Sequence, residues 1–288
     1  MKDRPPATSQ PQTAMTEDRP ETLDDLRREI DRLDAAMHRA LMDRGAIIDR
    51  LIAVKQSAEA GSAFRPKREA DMMRDLLMRH EGHLPLDTVE SIWRVIISTF
   101  TFVQAPYRVH GAVSAGAAQM RDVARFHFGF TVPYMEVASG AEAVAAVAAD
   151  GRDLGLIPAS EAGAWWRGMG GDGRPQVIAR LPFVERPGHP AALQTYVVGA
   201  PPAAGAVADD VRLLAFRGER WNPEAGKAAR AAGARVVGRE GTEVLAALPR
   251  GVGEAELAAA ISPTGAALAD AAWIGAHAAH VLPGSTTA

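Results

Sequence analysis

The feature that most constrains this chain is one long apolar stripe. Leu26, Ile30, Leu33, Met37, Leu41, Ile48, Leu51 and Val54 keep the spacing of three and four that places side chains on one face of an α-helix. No proline interrupts the run before Gly61, and Gly45 is only a mild interior blemish. Thr22, followed three residues later by Asp25, supplies a capping-box-like start. At 1.5 Å per residue such a helix is about 50 to 55 Å long.

Two shorter helices follow. One opens at Pro66, a residue favoured in a first turn, carries Met72, Met73, Leu76 and Leu77, and closes near His80 with Gly82 as the stop. The next follows Leu84-Pro85-Leu86-Asp87, carries Val89, Ile92, Trp93, Ile96, Ile97, Phe100 and Val103, and ends at Pro106. Residues 22–105 therefore read as all-α. The two shorter helices reach about 20 to 30 Å each and cannot cover the first. Its stripe needs a partner, and the simplest is a second copy of the chain packed by two-fold symmetry, which predicts an intertwined helical homodimer.

After Pro106 the composition shifts to Ala, Gly and Val, and short β-type runs alternate with helical ones, which marks a domain boundary. Strands are expected at 108–113, 132–137, 153–157, 176–181, 193–198, 211–216, 235–237, 244–248 and 273–282. Helices are expected at 117–128, 141–149, 223–232 and 254–261. From Val211 onward the order β-α-β-β-α-β resembles a ferredoxin-like unit. The fold class is thus α followed by mixed α/β. The division is a leader at 1–20, a helical domain at 21–106 and an α/β domain at 107–288, the last split at 205/206.

The 288 residues fit about two domains at roughly 150 each. A content of 47% hydrophobic and 23% charged residues can bury a core in both. The net charge of −3 and pI near 6.3 give no general attraction for nucleic acid or an anionic membrane, so any anion site must be local. Without cysteine there are no disulfides, thiolate metal sites or cysteine nucleophiles. No apolar run approaches the roughly 18 residues of a membrane span, and Met1 to Pro20, poor in apolar residues, lacks a secretory layout. That segment reads as a disordered leader, and a cytoplasmic location is expected.

Several polar groups stand where the helical pattern wants apolar ones. Arg44 lies in the seam seven residues from both Met37 and Leu51. Lys55, eleven residues on, falls within about 20° of Arg44 on the same face. Glu69 stacks under Met72, Met73 and Leu76, and Gln104 stands four after Phe100. Each has an ordinary explanation: a snorkelling cation, a capping carboxylate, an amide at a fraying end. Buried together without a ligand they would be costly, so the set points to a cavity for a polyanionic small molecule. Arg27 lies about 100° round the helix from Arg44 and could instead complete the partner's cavity in an antiparallel dimer.

The run Leu26-Arg27-Arg28-Glu29-Ile30-Asp31-Arg32-Leu33-Asp34, with Arg44, Lys55, Arg65-Pro66-Lys67-Arg68-Glu69-Ala70 and Gln104, resembles the all-α class of chorismate mutases over residues 22–105. The resemblance implies that the partner's Arg27 and this chain's Arg44 grip the two carboxylates of chorismate. It implies that Lys55 and Gln104 bond the ether oxygen, that Glu69 accepts from the ring hydroxyl, and that Arg68 supports the carboxylate site. Lys55, Gln104, Arg44 and Glu69 would be the catalytic set. The rearrangement is intramolecular, so no cofactor or metal is expected. Family members often place an acidic residue where Arg65 stands and a small hydroxyl residue where Phe100 aligns; Ser98, Thr99 and Thr101 are adjacent. A related isochorismate-cleaving lyase uses a similar pocket; Gln104 and the longer connection to Arg65 favour the mutase.

Gly155-Leu156-Ile157-Pro158-Ala159-Ser160-Glu161 is similar to a stretch of prephenate dehydratases, and residues 206–288 to their amino-acid-sensing ACT module. The dehydratase Thr-Arg-Phe signature is missing, its nearest counterpart being Thr195-Tyr196-Val197. The resemblance implies a dehydratase-like remnant at 107–205 without that activity, and a regulatory role that could involve an amino-acid effector. A bifunctional enzyme and a non-catalytic dimerisation and sensing protein are the alternatives. Elsewhere, His277 and His280 have a possible ligand spacing but read as ordinary strand or surface residues. Gly170 to Gly173 lacks the context of a phosphate loop, and Trp165 and Trp166 read as packing residues.

Overall fold

The computed structural model describes residues 21–55 and 64–281. The expected leader at 1–20, Gly61 in the connection to Arg65 and the strand end at Leu282 lie outside the described residues. The chain divides into two compact units between Leu51 and Ile52.

The first unit is one helix for most of its described length. Helix α1 runs Leu23–Lys55, close to the expected span. Its start is reciprocal: the Asp25 backbone N–H donates to Thr22 Oγ1 at 3.3 Å and the Thr22 N–H donates to Asp25 Oδ2 at 3.0 Å. Leu26, Ile30, Leu33, Met37, Leu41 and Leu51 of the stripe are 37–62% exposed in the single chain. An apolar face of this length left to water is unusual for a surface helix.

The second unit continues with α2 (Pro66–Arg79) and α3 (Leu86–Gln104). Pro66 sits in the first turn of α2, where its missing N–H costs nothing. Met73 and Leu76 are buried as expected. Helix α3 departs from its expected stripe: Ile97 is buried, but Ile92 and Val103 are exposed, and the buried face carries Glu90 and Arg94. The reason is tertiary: Val89, Trp93 and Ile97 pack on the core, charge pairs satisfy Glu90 and Arg94 beside them, and Ile92 and Val103 lie at the outer edge.

The chain as a whole is not all-α; that description holds for residues 22–105, within which no strand is described. Beyond them the elements run β1 (Val109–Ala112), α4 (Ala117–Phe128), β2 (Tyr134–Val137), α5 (Gly140–Ala149), β3 (Leu154–Pro158), β4 (Gln176–Leu181) and β5 (Thr195–Gly199). The chain continues with β6 (Val211–Glu219), α6 (Pro223–Ala231), β7 (Arg235–Glu240), β8 (Glu243–Pro249), α7 (Glu254–Ile261) and β9 (Ala267–His277). Helices α5 and α6 start where side chains cap them: Ser139 accepts from the Glu142 N–H at 3.3 Å, and Asn222 from the Ala225 N–H at 2.9 Å.

Among the described residues the strands form one nine-stranded sheet in the order β2-β1-β3-β5-β4-β9-β6-β8-β7. β1 pairs in parallel with β2 and β3, β5 runs antiparallel between β3 and β4, and β6 to β9 pair antiparallel among themselves. Every residue of β3 and of β5 is buried, which explains why both read as continuous apolar runs rather than alternating ones. The two halves of the sheet join in parallel at Val177 and Gly275. Gly275 has φ +138°, and a Cβ there would collide with the Val177 carbonyl oxygen, so only glycine allows the seam to close.

Strand β9 is the clearest displacement from expectation, starting six residues before Trp273 and ending at His277. Its first half, Ala-rich with Asp270 at φ +52°, carries no β-type signal and is held by pairing with β6. The core crosses the compositional boundary at Pro106. Met73 and Leu76 of α2 and Ile97 of α3 share one apolar cluster with Met120, Val123 and Phe128 of α4 and with Leu154 and Leu156 of β3. A second cluster holds Trp165, Trp166, Tyr196, Leu213 and Ile274, and a third packs α6 and α7 on Leu214, Phe216 and Leu248.

Candidate active site

Arg27 and Arg44 belong to the first unit. Arg27 is exposed on the opening turns of α1 and pairs with Asp24 at 3.1 Å. Arg44 is half-buried midway along the helix. Lys55 is the last residue of α1, and its side chain lies outside the described part.

Arg68, Glu69 and Gln104 belong to the second unit. Arg68 is exposed in the first turn of α2, with Arg65 half-buried just before that helix. Glu69, one residue on from Arg68, faces inward and is almost fully removed from water. Its carboxylate meets Arg94 of α3 at 2.7 Å. Burial pushes the Glu69 carboxyl above its ordinary range, and the Arg94 guanidinium opposes this, as does the backbone N–H of Arg65. Gln104 is half-buried at the end of α3, where its Nε2 donates to the Phe100 carbonyl at 3.0 Å. Of the hydroxyl residues near Phe100, Ser98 and Thr101 are buried, and Ser98 donates to the Val95 carbonyl at 3.2 Å.

Sequence reasoning missed the residues that surround Glu69. Arg94 is wholly buried; its Nη2 donates to the His127 carbonyl near the end of α4 at 3.2 Å, and its guanidinium carbon lies 5.2 Å from the centre of the Phe183 ring. One turn before Arg94, Glu90 pairs with Arg186 at 2.5 Å, again out of water. A signal was present: Glu90 and Arg94 interrupt the apolar ridge of Val89, Trp93 and Ile97 at a spacing of four. It could not be resolved without the partners.

The α/β domain holds other polar groups singled out earlier. His277 is 1% exposed, so it is not a surface residue; its Nδ1 donates to the Ala278 carbonyl at 2.8 Å and burial pushes its pKa down to about 4. His280 pairs with Glu185 at 2.6 Å. Among the described residues no group of three or more His, Cys, Asp or Glu could hold a metal ion. Trp165 and Trp166 are buried packing residues, with ring centres 5.7 Å apart. Glu161, just after β3, accepts from the Gly140 N–H at 2.9 Å and from the Ser114 hydroxyl. Ser114 lies in the loop after β1 and the Gly140 N–H opens α5, beyond the strand ends where open α/β sheets bind ligands. The chain's own carboxylate takes both donors.

Among the described residues no helix is long and apolar enough to cross a membrane. The family model described as chorismate mutase type II matches residues 26–105. Neither the curated proteins nor the solved structures provide a match to the chain. Residues 26–105, with Arg44, Glu69 and Gln104 on their three helices, carry a chorismate mutase type II domain, and the enzyme class that follows from it is an isomerase.

Proposed function

We propose that the chain rearranges chorismate to prephenate in aromatic amino-acid biosynthesis, as a cytoplasmic homodimer with the α/β domain in a regulatory role. The observation that carries this reading is the family match over residues 26–105, inside which Arg27, Arg44, Lys55, Arg68, Glu69 and Gln104 all fall. Arg44 and the partner copy's equivalent of Arg27 hold the two carboxylates as planar forks, with Arg68 in support. Lys55 and the Gln104 amide donate to the ether oxygen as its bond breaks, and Glu69 accepts from the ring hydroxyl. Holding the compact conformer and stabilising developing charge suffices for an intramolecular reaction, without nucleophile, metal or cofactor. Gln104 leaves the Phe100 carbonyl to reach the substrate.

The dimer is supported by the exposed stripe on α1 and by the exposed Ile92 and Val103 of α3. Two such apolar faces are what a second copy would cover. The strand order β9-β6-β8-β7 with the sequence β-α-β-β-α-β supports a ferredoxin-like, ACT-like end, and with it an amino-acid effector. That Glu161 occupies the strand-end donors supports a remnant rather than an active dehydratase. The test is chorismate consumption by the purified full chain, with Arg44→Ala and Lys55→Ala each expected to lower turnover by about 100-fold or more while the fold persists. Turnover unchanged in both variants would overturn the assignment.

A further inference from the structure

The ring of contacts around Glu69 does more than bury it. Its only described charge partner is Arg94, at 2.7 Å, and both side chains are out of water. Arg94 in turn is fixed from outside the mutase region: the His127 carbonyl takes one of its N–H groups, and the Phe183 ring lies 5.2 Å from its guanidinium carbon. His127 belongs to α4 and Phe183 follows β4, so both are parts of the α/β domain. Met73 and Ile97 beside the pair sit in a core shared with Phe128 and Phe183.

We propose that Arg94 is a positioning residue for the mutase reaction: held by the α/β domain, it fixes the Glu69 carboxylate in the ionised form and orientation needed to accept the substrate hydroxyl. The α/β domain thereby becomes part of the support of the active site. This rests on the mutase reading of residues 26–105. It makes a specific claim about proton affinity, because a carboxyl this deeply buried is pushed toward protonation, and Arg94 is the main group opposing that. The other charged and titratable groups around the pair are Glu90 of α3, Arg186 and His189 after β4, His127 of α4, and Tyr107 between α3 and β1. Burial pushes Tyr107 and Glu90 up and His127 down, and at Glu90 the Arg186 guanidinium opposes the shift. Arg186 remains as the partner of Glu90.

The experiment is the pH dependence of chorismate turnover by the full chain and by Arg94→Met, Arg94→Lys and Leu257→Ala. In Arg94→Met, kcat at pH 6 is expected to fall about tenfold or more with a much smaller change in KM, and the acid limb of the profile to move up by about one pH unit or more. Arg94→Lys restores the cation and returns the limb toward its original place. Leu257→Ala, in the separate core under α6 and α7, lowers stability and leaves the limb where it was. An unmoved limb in Arg94→Met, or an equal displacement in Leu257→Ala, overturns the proposal. If Arg94→Met does not fold, Arg94→Lys carries the test, and a limb displaced upward there by about one pH unit or more, with the cation kept, also overturns it. Absence of turnover in the parent chain is a different result and removes the mutase reading itself.

Discussion

Gln104 and His277 carry opposite expectations for the pH behaviour of the chain. A primary amide does not titrate, so with Gln104 donating to the ether oxygen, turnover is expected to persist across neutral pH. A rate profile that collapses above about pH 6 would contradict that role. His277 acts on stability instead. Burial holds its folded pKa at about 4, against an ordinary 6.5. Between those values the unfolded chain binds a proton that the folded chain refuses, so stability falls as pH drops through the window, by up to about 3 kcal/mol. Urea unfolding at pH 7 and pH 5 measures the loss, and His277→Gln is expected to reduce the difference. The pair at Glu69 and Arg94 has its own cost: Arg94→Met leaves a buried carboxyl without a counter-charge and should destabilise the chain by about 3–5 kcal/mol in the same assay. Arg44, Glu69 and Gln104 stand out in the sequence as candidates because each breaks an apolar pattern. Arg94 does not, because a charge within a helical stripe looks the same whether it meets solvent or a partner far along the chain.

At the scale of elements, periodicity located nearly everything that is locally determined. Helices α1 to α3, α5 and α6 lie close to their expected spans; Pro66 marked the start of α2, whereas the caps at Ser139 and Asn222 emerged only in the structure. What periodicity could not say is which face would be covered. Helix α1 leaves Leu33 and its neighbours exposed, so Leu33→Glu is expected to weaken association of two copies and, with it, turnover; sedimentation velocity against the parent chain reads the change. Helix α3 keeps Val89, Trp93 and Ile97 of its expected stripe on the core, but it also buries Glu90 and Arg94 and leaves Ile92 and Val103 exposed, which spacing alone does not show. The seam between the half-sheets makes a further demand. Gly275→Ala forces a side chain into the Val177 backbone and should cost about 1–3 kcal/mol, visible as a lower urea midpoint.

For the molecule as a whole, composition marks a change at Pro106, yet the packing runs through it. Met73, Leu76 and Ile97 share their core with α4 and β3, and Glu90 takes its counter-charge from Arg186. Residues 21–106 made alone would expose those apolar side chains and leave Glu90 and Arg94 without part of their surroundings. Such a fragment is expected to be helical but to lack a cooperative urea transition and to bind an apolar dye, whereas the full chain should not. The amino-acid sequence by itself determined the helices, most strands and the polar positions of the mutase region, because these depend on neighbours within a turn or two of backbone. Only the tertiary structure decided that the strands form one sheet, that α3 buries its charges, and that Arg94 meets Glu69. Those outcomes depend on which distant groups arrive to satisfy a buried charge or a backbone edge, and no local spacing records that.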